Sequence, residues 1–403
     1  MPHLLLQLSV ILATARVLAL LLRRLGQPAV IGEMIAGFVL GPIVFGALAP
    51  EWHVALFPKD GLAALQGLSQ LGLVLFMFIV GAELRAPDGA RAPLATAAWV
   101  GIPGVLLPGV LGLAIAPALH ADFAPAGVGV WPFALFMAAA LAITAFPVMA
   151  RILKDRGLTR SRIGQLALAA TAIADVLVWL LLAFVIASIS AHGNSTFART
   201  IAGLALVCAL AFGVLRPLLA RLLARHASDS RPGGAVLSAL LIGTCTMAAA
   251  TEWLGLHAVF GAFLAGLCLP RDDRLLDTLV ERLEHVAVLV LMPVFFALAG
   301  LATRADAFAG SGLSALLLIL AAAVLGKVLG AGGGARIAGF GWRESLAVGS
   351  LMNARGMMEL IVLKVGLDAG VIGADLFTLL LAMTIVTTLM ATPMLDACRR
   401  GTA

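Results

Sequence analysis

Residues 163–190 read IGQLALAATAIADVLVWLLLAFVIASIS and contain a single charged residue, Asp175, near the middle of the stretch. An apolar segment of about 20 residues is long enough to cross the hydrocarbon core of a bilayer as an α-helix. A carboxylate at the centre of such a helix costs about 2.5 to 3.5 kcal/mol on insertion scales, so it usually faces a wet cavity and handles ions or protons. We therefore expect a functional role for Asp175. The alternative is a buried hydrogen bond between helices.

The composition extends this interpretation to the whole chain. Its 403 residues are 62% hydrophobic and 12% charged, with a mean hydropathy of +1.08, whereas soluble domains have about 25% charged residues. The first apolar segment follows Met1 directly and lacks the features of a cleaved signal peptide. We expect an all-α polytopic membrane protein, with a single transmembrane domain over residues 1–403 and no soluble regulatory domain.

Thirteen membrane spans are predicted, an odd number that places the two termini on opposite sides of the membrane. They cover about 3–22, 28–48, 62–81, 93–118, 131–150, 163–190, 198–220, 233–252, 256–270, 283–301, 308–330, 344–365 and 371–394. Lys59, Arg199 and Arg304 are the only Lys or Arg residues in the loops of one side. Because basic residues concentrate in cytoplasmic loops, we expect a cytoplasmic C-terminus and a bacterial inner (plasma) membrane. The net charge of +6 then reflects topology and not nucleic-acid binding.

Two parts of the chain resemble each other. The segment AVIGEMIAGFVL at 29–40 matches AVFGAFLAGLCL at 258–269 at six positions without a gap. Further similarities follow in the same order, with 76–81 over 295–300 and 143–145 over 352–354. Matches in Ala- and Leu-rich helices are individually weak, so the shared order carries the argument.

The two copies begin an odd number of spans apart, so they insert with opposite orientation. Inverted repeats of this kind are the signature of alternating-access transporters. We predict a first repeat over about 28–190, a linking helix over about 198–220 and a second repeat over about 233–394.

One span in each repeat is expected to be interrupted. The fifth span contains TAFP at 144–147, where Pro147 removes a backbone donor and clashes with the preceding turn. The twelfth span contains NARG at 353–356, which is polar and includes Gly356 at the equivalent depth. Interrupted helices expose backbone carbonyls and helix dipoles, and we expect both beside Asp175.

No cofactor is predicted. The four cysteines lack metal-ligand spacing, and the glycine run 332–334 lacks the strand and the lysine of a phosphate loop. An intramembrane aspartyl protease would need a second aspartate at mid-membrane depth, but the candidates (Asp368, Asp375 and Asp396) lie at span ends or in loops. We therefore predict a transporter and not an enzyme.

Five motifs occur in order along the chain: QPAVIGE at 27–33, FIVGAEL at 78–84, ITAFPVMAR at 143–151, PVFF at 293–296 and NARGMMEL at 353–360. Together they resemble the monovalent cation:proton antiporters, in the branch that contains Kef-type potassium efflux proteins and plant cation/proton exchangers. The resemblance covers essentially the whole chain. It implies a sodium/proton antiporter-like fold of about 13 transmembrane helices, with two inverted-topology repeats and two crossed, interrupted helices.

The resemblance also implies a homodimer in which the core of crossed helices moves as an elevator against a dimerisation scaffold. It implies an essential Asp after the first interruption and a Lys before the second, and Asp175 and Lys327 occupy these positions. Ala174 stands where the family usually has Asn, Gln or another Asp, which leaves the choice of cation open. Relatives often carry a cytosolic regulatory domain, so gating by soluble ligands is expected to need a separate regulatory subunit.

The predicted function is exchange of a monovalent cation, K⁺ or Na⁺, for H⁺ across the lipid membrane by alternating access. A hard monovalent cation takes oxygen ligands, which Asp175, Thr144 and freed carbonyls would supply, and a proton competes for the same carboxylate. A loaded site is near neutral, whereas a bare carboxylate moving through low dielectric costs several kcal/mol. The alternative is a sodium-coupled organic-solute symporter of similar inverted-repeat fold.

The other residues near the site each have a structural alternative. Lys327 either acts in transport, with a possible ion pair to Asp175, or snorkels to the cytoplasmic surface. Thr144 is a cation ligand or a satisfied helix hydroxyl. Asn353 is a ligand or a cap of the interruption.

Four further charged residues are possible supports of the site. Arg355 and Glu359 are four residues apart on one helix face, and we expect them to pair with each other rather than to bind the cation. Glu83, at a span end, is a solvated acid or part of an entry funnel. Glu33 lies deeper and either pairs with a basic residue or lines a cation path.

Overall fold

The computed structural model describes residues 2–58, 61–83, 94–159, 161–190, 202–203, 205–226, 234–254, 257–269, 283 and 285–399. These residues form helices, turns and connecting segments, without a β-strand among them. The α-helices are, in chain order, α1 (Pro2–Arg24), α2 (Ala29–Leu40), α3 (Phe45–Leu48), α4 (Pro50–Leu56), α5 (Leu62–Glu83), α6 (Leu94–Phe123), α7 (Val130–Ala142), α8 (Phe146–Asp155), α9 (Arg162–Ser190), α10 (Arg216–His226), α11 (Gly234–Trp253), α12 (Ala258–Leu267), α13 (Met292–Leu301), α14 (Gly312–Ile337), α15 (Trp342–Met352), α16 (Met357–Asp368) and α17 (Ala374–Arg399). Single π-helical turns, Ala211–Leu215 and Ala287–Leu291, lead into α10 and α13.

Eight helices of the described chain are long and apolar enough to cross a membrane, or nine if the bent pair α15 and α16 counts as one span. Three further apolar segments are shorter, at Val130–Ala142, Ala258–Leu267 and Ala287–Leu301. The all-helical membrane architecture expected from the composition is therefore present. The count of thirteen stays a prediction, because several predicted spans correspond to short or interrupted helices. The start of the predicted linking helix, up to residue 201, lies outside the described residues.

The chain divides into two compact units. The first comprises Met1–Leu12, Leu56–Arg85 and Ile186–Leu298, and the second comprises Ala13–Ala55, Ala86–Val185 and Ala299–Ala403. Every residue of the candidate site described below, from Thr144 to Glu359, belongs to the second unit.

In the first unit, α5 packs closely against α12. A Cβ added at Gly266 would lie 2.2 Å from the carbonyl oxygen of Phe78, and one added at Gly81 would lie 2.2 Å from that of Phe263. Because lipid offers no hydrophobic drive for helices to associate, small residues that let backbones approach are typical of helix contacts in membranes. Gly81 and Gly266 therefore allow the backbones of α5 and α12 to pack closely.

In the second unit, α14 packs along α6 through one face of small residues. Gly326, Gly330 and Gly334 recur every four residues, and a Cβ at Gly334 would lie 1.9 Å from the carbonyl oxygen of Trp99 on α6. This spacing is the small-xxx-small pattern of closely packed membrane helices. The contact fixes the position of Lys327, which follows the first of these glycines.

A second close contact in this unit joins α2 to the end of α13. A Cβ at Gly300 would lie 1.7 Å from the carbonyl oxygen of Gly37, and one at Gly41 would lie 2.3 Å from that of Gly300. These distances leave no room for any side chain at the crossing.

Candidate functional site

The first predicted interruption is present. Helix α7 ends at Ala142, the backbone is extended at Ile143, and α8 begins at Phe146. Pro147 stands in the first turn of α8, where a helix does not need its missing N–H. The last carbonyls of α7 consequently lack partners within their own helix and must find them elsewhere.

The second interruption is also present and touches the first. Helix α15 ends at Met352 and α16 begins at Met357, with the two bent by 45°. The backbone N–H of Ala145 donates to the carbonyl of Ala354 over 3.0 Å. A Cβ at Gly356 would lie 2.6 Å from a methyl group of Val148 on α8. The two unwound segments thus cross in direct contact.

Lys327 is fully buried and serves the first interruption. Its ammonium donates to the carbonyl of Gly104 over 3.0 Å, to the hydroxyl of Thr144 over 2.7 Å and to the carbonyl of Ala142. The carbonyl end of a helix carries partial negative charge, which favours a cation there. The snorkelling alternative is therefore wrong, because three buried oxygens hold the ammonium inside the protein.

Arg355, which lies in the second interruption, also donates to carbonyls at the end of α7. Its guanidinium donates to the carbonyls of Ala140 over 2.8 Å and Leu141 over 2.6 Å. It also forms a fully buried ion pair of 2.7 Å with Glu359, as the four-residue spacing predicted. Lys327 and Arg355 together satisfy the last three carbonyls of α7.

Asp175 lies on α9 and forms no ion pair with Lys327 or Arg355 in the described structure. The residue is 3% exposed, and its Oδ2 atom has no hydrogen-bond partner in the described structure. It lines a small cavity of about 10 Å³ together with Ile143, Val178, Trp179, Met358 and Val362. The cavity thus opens between the first interruption and the start of α16. The ion pair considered between Asp175 and Lys327 is absent from this structure, because the lysine donates to other oxygens.

The two candidate oxygen ligands differ in their availability. The hydroxyl of Thr144 accepts from Lys327 and donates to the carbonyl of Met352 over 3.2 Å, so it is occupied in this structure. Asn353 is fully buried and donates from Nδ2 to the carbonyl of Thr387 over 3.4 Å. Its Oδ1 atom has no partner among the described residues. Asn353 is therefore both a cap of the interruption and a source of a free oxygen.

The acidic residues outside this cluster are less well defined. Glu33 on α2 is 8% exposed, and its Oε2 atom lacks a hydrogen-bond partner in the described structure. Glu83 ends α5, and its side chain lies outside the described part of the chain. Of the predicted site residues, the structure brings six into one region: Asp175, Lys327, Thr144, Asn353, Arg355 and Glu359.

Threonines of α17 hold the second interruption, which the sequence analysis missed. The hydroxyl of Thr388 accepts from the backbone N–H of Arg355 over 2.9 Å and donates to the carbonyl of Arg355 over 2.8 Å. The backbone carbonyl of Thr387 accepts the hydrogen bond from Nδ2 of Asn353. The run TIVTT at 384–388, unusually polar for a membrane helix, is the sequence signal from which this role could have been predicted.

Taken together, long apolar helices, two touching interruptions and a buried, unpaired carboxylate define a polytopic membrane transporter. The chain matches the family "Sodium/hydrogen exchanger, transmembrane" over residues 9–397, and it belongs to that family. The family consists of transporters and not enzymes, as the sequence analysis predicted.

Individual relatives agree with this assignment. The chain is 36% identical to Cation/H(+) antiporter 17 of Arabidopsis thaliana, covering 98% of this chain and 48% of the relative. It is 36% identical to the Na(+)/H(+) antiporter NhaS4 of a Synechocystis strain, covering 96% and 94%. It is 34% identical to K(+)/H(+) antiporter 1 of Saccharomyces cerevisiae, covering 91% and 43%. The chain thus spans about half the length of the plant and yeast relatives.

The fold has a solved counterpart. The sodium proton antiporter MjNhaP1 from Methanocaldococcus jannaschii superimposes with a TM-score of 0.65, covering 98% of both chains at 15% identity. At that identity the similarity concerns the fold alone.

Proposed function

We propose that this protein exchanges a monovalent cation for protons across the membrane, with Asp175 as the shared binding site. The observation that carries the proposal is the buried Oδ2 atom of Asp175, which faces a small cavity and has no partner in the described structure. A carboxylate left unpaired in this setting is costly unless it binds a ligand. A proton and a cation are the two ligands that neutralise it.

The relatives support the same class of substrate. Their names specify cation/H⁺, Na⁺/H⁺ and K⁺/H⁺ exchange, so the shared element is a proton exchanged for a monovalent cation. They differ in the cation, and Ala174 before Asp175 withholds the polar neighbour that would favour one choice. We propose K⁺ or Na⁺ as the cargo.

The arrangement around Asp175 suits competition between the two ligands. The Oδ1 atom of Asn353 is a free oxygen on the second interruption, and hard cations take oxygen ligands. Lys327 donates to the first interruption, which leaves the carboxylate of Asp175 open to a ligand. Thr144 becomes a cation ligand only if Lys327 releases it, so we propose Thr144 as a conditional ligand.

The need for a neutral site couples the movement of the proton to that of the cation. With a proton or a cation bound, the carboxylate carries no net charge through the low-dielectric part of the protein. A bare carboxylate making the same movement would cost several kcal/mol. Return of the empty site is therefore suppressed, and we propose electroneutral one-for-one exchange by alternating access.

Equivalent contacts support the inverted-repeat topology that alternating access requires. In the sequence alignment, Gly37 corresponds to Gly266, and Gly300 corresponds to Gly81. Gly37 meets Gly300 in the second unit, and Gly266 meets Gly81 in the first. Matched positions thus make matched contacts, as two copies of one fold would do.

The remaining features are part of the proposal and rest on the family resemblance and, for the membrane and the orientation, on the distribution of basic residues. They are about thirteen transmembrane helices in two inverted repeats at 28–190 and 233–394, a homodimer, elevator movement, a bacterial inner membrane and a cytoplasmic C-terminus. A separate regulatory subunit is proposed on the same basis.

The test is a proteoliposome assay with the purified full chain and a pH-sensitive dye inside the vesicles. Addition of K⁺, Na⁺, Li⁺ or Rb⁺ outside should change the internal pH in a cation-dependent way. Asp175→Asn should abolish the change, whereas Asp368→Asn, at an exposed ion pair, should not. No cation-evoked pH change under any gradient would overturn the proposal. Sodium-driven accumulation of an organic solute would instead favour the symporter.

A further inference from the structure

A second polar cavity lies where the segment between α1 and α2 meets the ends of α8 and α17. Its volume is about 270 Å³, and it is lined by Leu25, Gln27, Arg156, Thr392, Pro393, Asp396 and Ala397. All of these residues belong to the second unit. None of them lines the cavity of Asp175, so the function proposed above does not use them.

Pro393 explains why Gln27 points into this cavity. Proline inside a helix has no N–H to donate, so the carbonyl four residues earlier, that of Leu389, lacks its usual partner. The Nε2 atom of Gln27 donates a hydrogen bond to that carbonyl over 3.3 Å. This bond fixes the orientation of the amide, and it leaves Oε1 buried without a partner among the described residues.

Thr392 presents a second free oxygen. Three other threonines of α17 (Thr378, Thr384 and Thr387) each donate to the carbonyl four residues earlier. Thr392 is 3% exposed, and its hydroxyl makes no hydrogen bond in the described structure. A buried hydroxyl that forgoes its local carbonyl is available to a ligand.

Asp396 provides the charge of the site. Its Oδ2 atom pairs with Arg156 at 2.6 Å, and both side chains are about three-quarters buried. No second hydrogen bond of Asp396 occurs within the described residues. The carboxylate therefore keeps capacity for another positive partner.

We propose that Asp396, Thr392 and Gln27 form a second monovalent-cation site, in which the Arg156 guanidinium competes with the cation for Asp396. Once the amide of Gln27 is oriented, the carboxylate of Asp396, the amide oxygen of Gln27 and the hydroxyl oxygen of Thr392 can all accept, and oxygen ligands are what a hard cation takes. A divalent ion would require more carboxylates than this one, which already shares its charge with an arginine. An anion is disfavoured, because the carboxylate of Asp396 and the amide oxygen of Gln27 would repel it.

Occupancy of the site has a consequence for the two interruptions. Arg156 caps the end of α8, the second half of the first interrupted span. Asp396 lies on α17, whose Thr388 holds the second interruption. A cation that displaces Arg156 from Asp396 therefore breaks an ion pair between α8, which follows the first interruption, and α17, which binds the second interruption through Thr388. This places cation sensing outside the transport site.

The test uses the purified full chain with Asp175→Asn, so that the proposed transport site is removed in every sample. Binding of radiolabelled Rb⁺ and the thermal unfolding midpoint are measured against KCl or NaCl, with N-methylglucamine chloride keeping the ionic strength constant. Saturable Rb⁺ binding and a rise in the midpoint are expected. Asp396→Asn should abolish both, Thr392→Val should weaken both, and Thr392→Ser should retain them.

Arg156→Gln distinguishes the proposal from other readings of the cavity. Removal of the competing guanidinium should lower the K⁺ concentration for half-saturation several-fold. Loss of Rb⁺ binding in Arg156→Gln would mean that the guanidinium supports the site and does not compete with the cation, and it would overturn the proposal. Absence of saturable binding in the Asp175→Asn chain, or binding of Ca²⁺ in preference to K⁺ and Na⁺, would overturn it as well. Failure of this site leaves the role of Asp175 untouched, because exchange is measured separately.

Discussion

The ammonium of Lys327 lies 2.7 Å from the hydroxyl of Thr144 and donates to it, while the nearby carboxylate of Asp175 takes no part in the contact. The lysine thus stabilises the first interruption in this structure, and the aspartate remains open to a ligand. Thr144 links the two interruptions, because the same hydroxyl donates to the carbonyl of Met352.

Lys327→Met should destabilise the protein. It leaves the carbonyls of Gly104 and Ala142 buried without a donor, at about 1–3 kcal/mol for each unsatisfied group. The measurement is the thermal unfolding midpoint of the purified chain, with Lys364→Met, at an exposed ion pair, as the control. An unchanged midpoint in Lys327→Met would contradict the anchoring role.

Asp175→Asn should abolish exchange without lowering stability. The carboxylate is buried without a partner at Oδ2, and a neutral amide of the same shape removes the cost of burying a charge. Its unfolding midpoint should equal or exceed that of the unmodified chain, and the pH-dye assay should show no exchange. Retained exchange would move proton binding to another residue.

The buried pair of Arg355 and Glu359 should respond unequally to single substitutions. Removing one partner of a buried ion pair costs about 3–5 kcal/mol. Arg355→Met should cost more than Glu359→Gln, because it also abandons the carbonyls of Ala140 and Leu141. A double-mutant cycle by chemical denaturation measures the coupling. Strictly additive effects would argue against a direct interaction.

Two neighbouring glycines of α14 provide a matched test of helix packing. Gly334→Ala should destabilise the protein by about 1–3 kcal/mol, because the new Cβ overlaps the Trp99 carbonyl. Gly333→Ala meets no atom within 4 Å and should be neutral or stabilising. Unfolding midpoints of the two variants check the difference. Equal effects would mean that α6 does not pack on Gly334.

Thr388→Val should weaken the second interruption. Valine has a similar shape but leaves the backbone N–H and carbonyl of Arg355 unpaired, at about 1–3 kcal/mol for each buried group. Thr384→Val is the control, because its hydroxyl only donates within its own helix. Protection of the Arg355 amide from hydrogen exchange should fall in Thr388→Val and not in the control.

Much of the architecture could be predicted from the sequence. Span length, the positions of Pro147 and Gly356, and the isolated charge of Asp175 are local features, and each has a local physical cost that the fold must accommodate. The two interruptions lie where the sequence placed them. The pairing of Arg355 with Glu359 also followed from helical spacing.

The partners of the buried charges could not be predicted. Lys327 lies far from Thr144 and Gly104 in sequence, and only the crossing of α6, α7 and α14 brings them together. The same reason hid Thr388, whose role depends on the Arg355 backbone beside it. The possible ion pair between Lys327 and Asp175 does not form in this structure, because the carbonyls of Gly104 and Ala142 and the hydroxyl of Thr144 accept from the lysine instead.

The sequence by itself determined the membrane class, the family and the costly residues, because hydrophobicity, proline and isolated charge act through the local backbone and the bilayer. The tertiary structure decided which buried donor meets which buried acceptor. That choice depends on packing between distant helices, and it is what leaves Asp175 open while Lys327 and Arg355 are occupied.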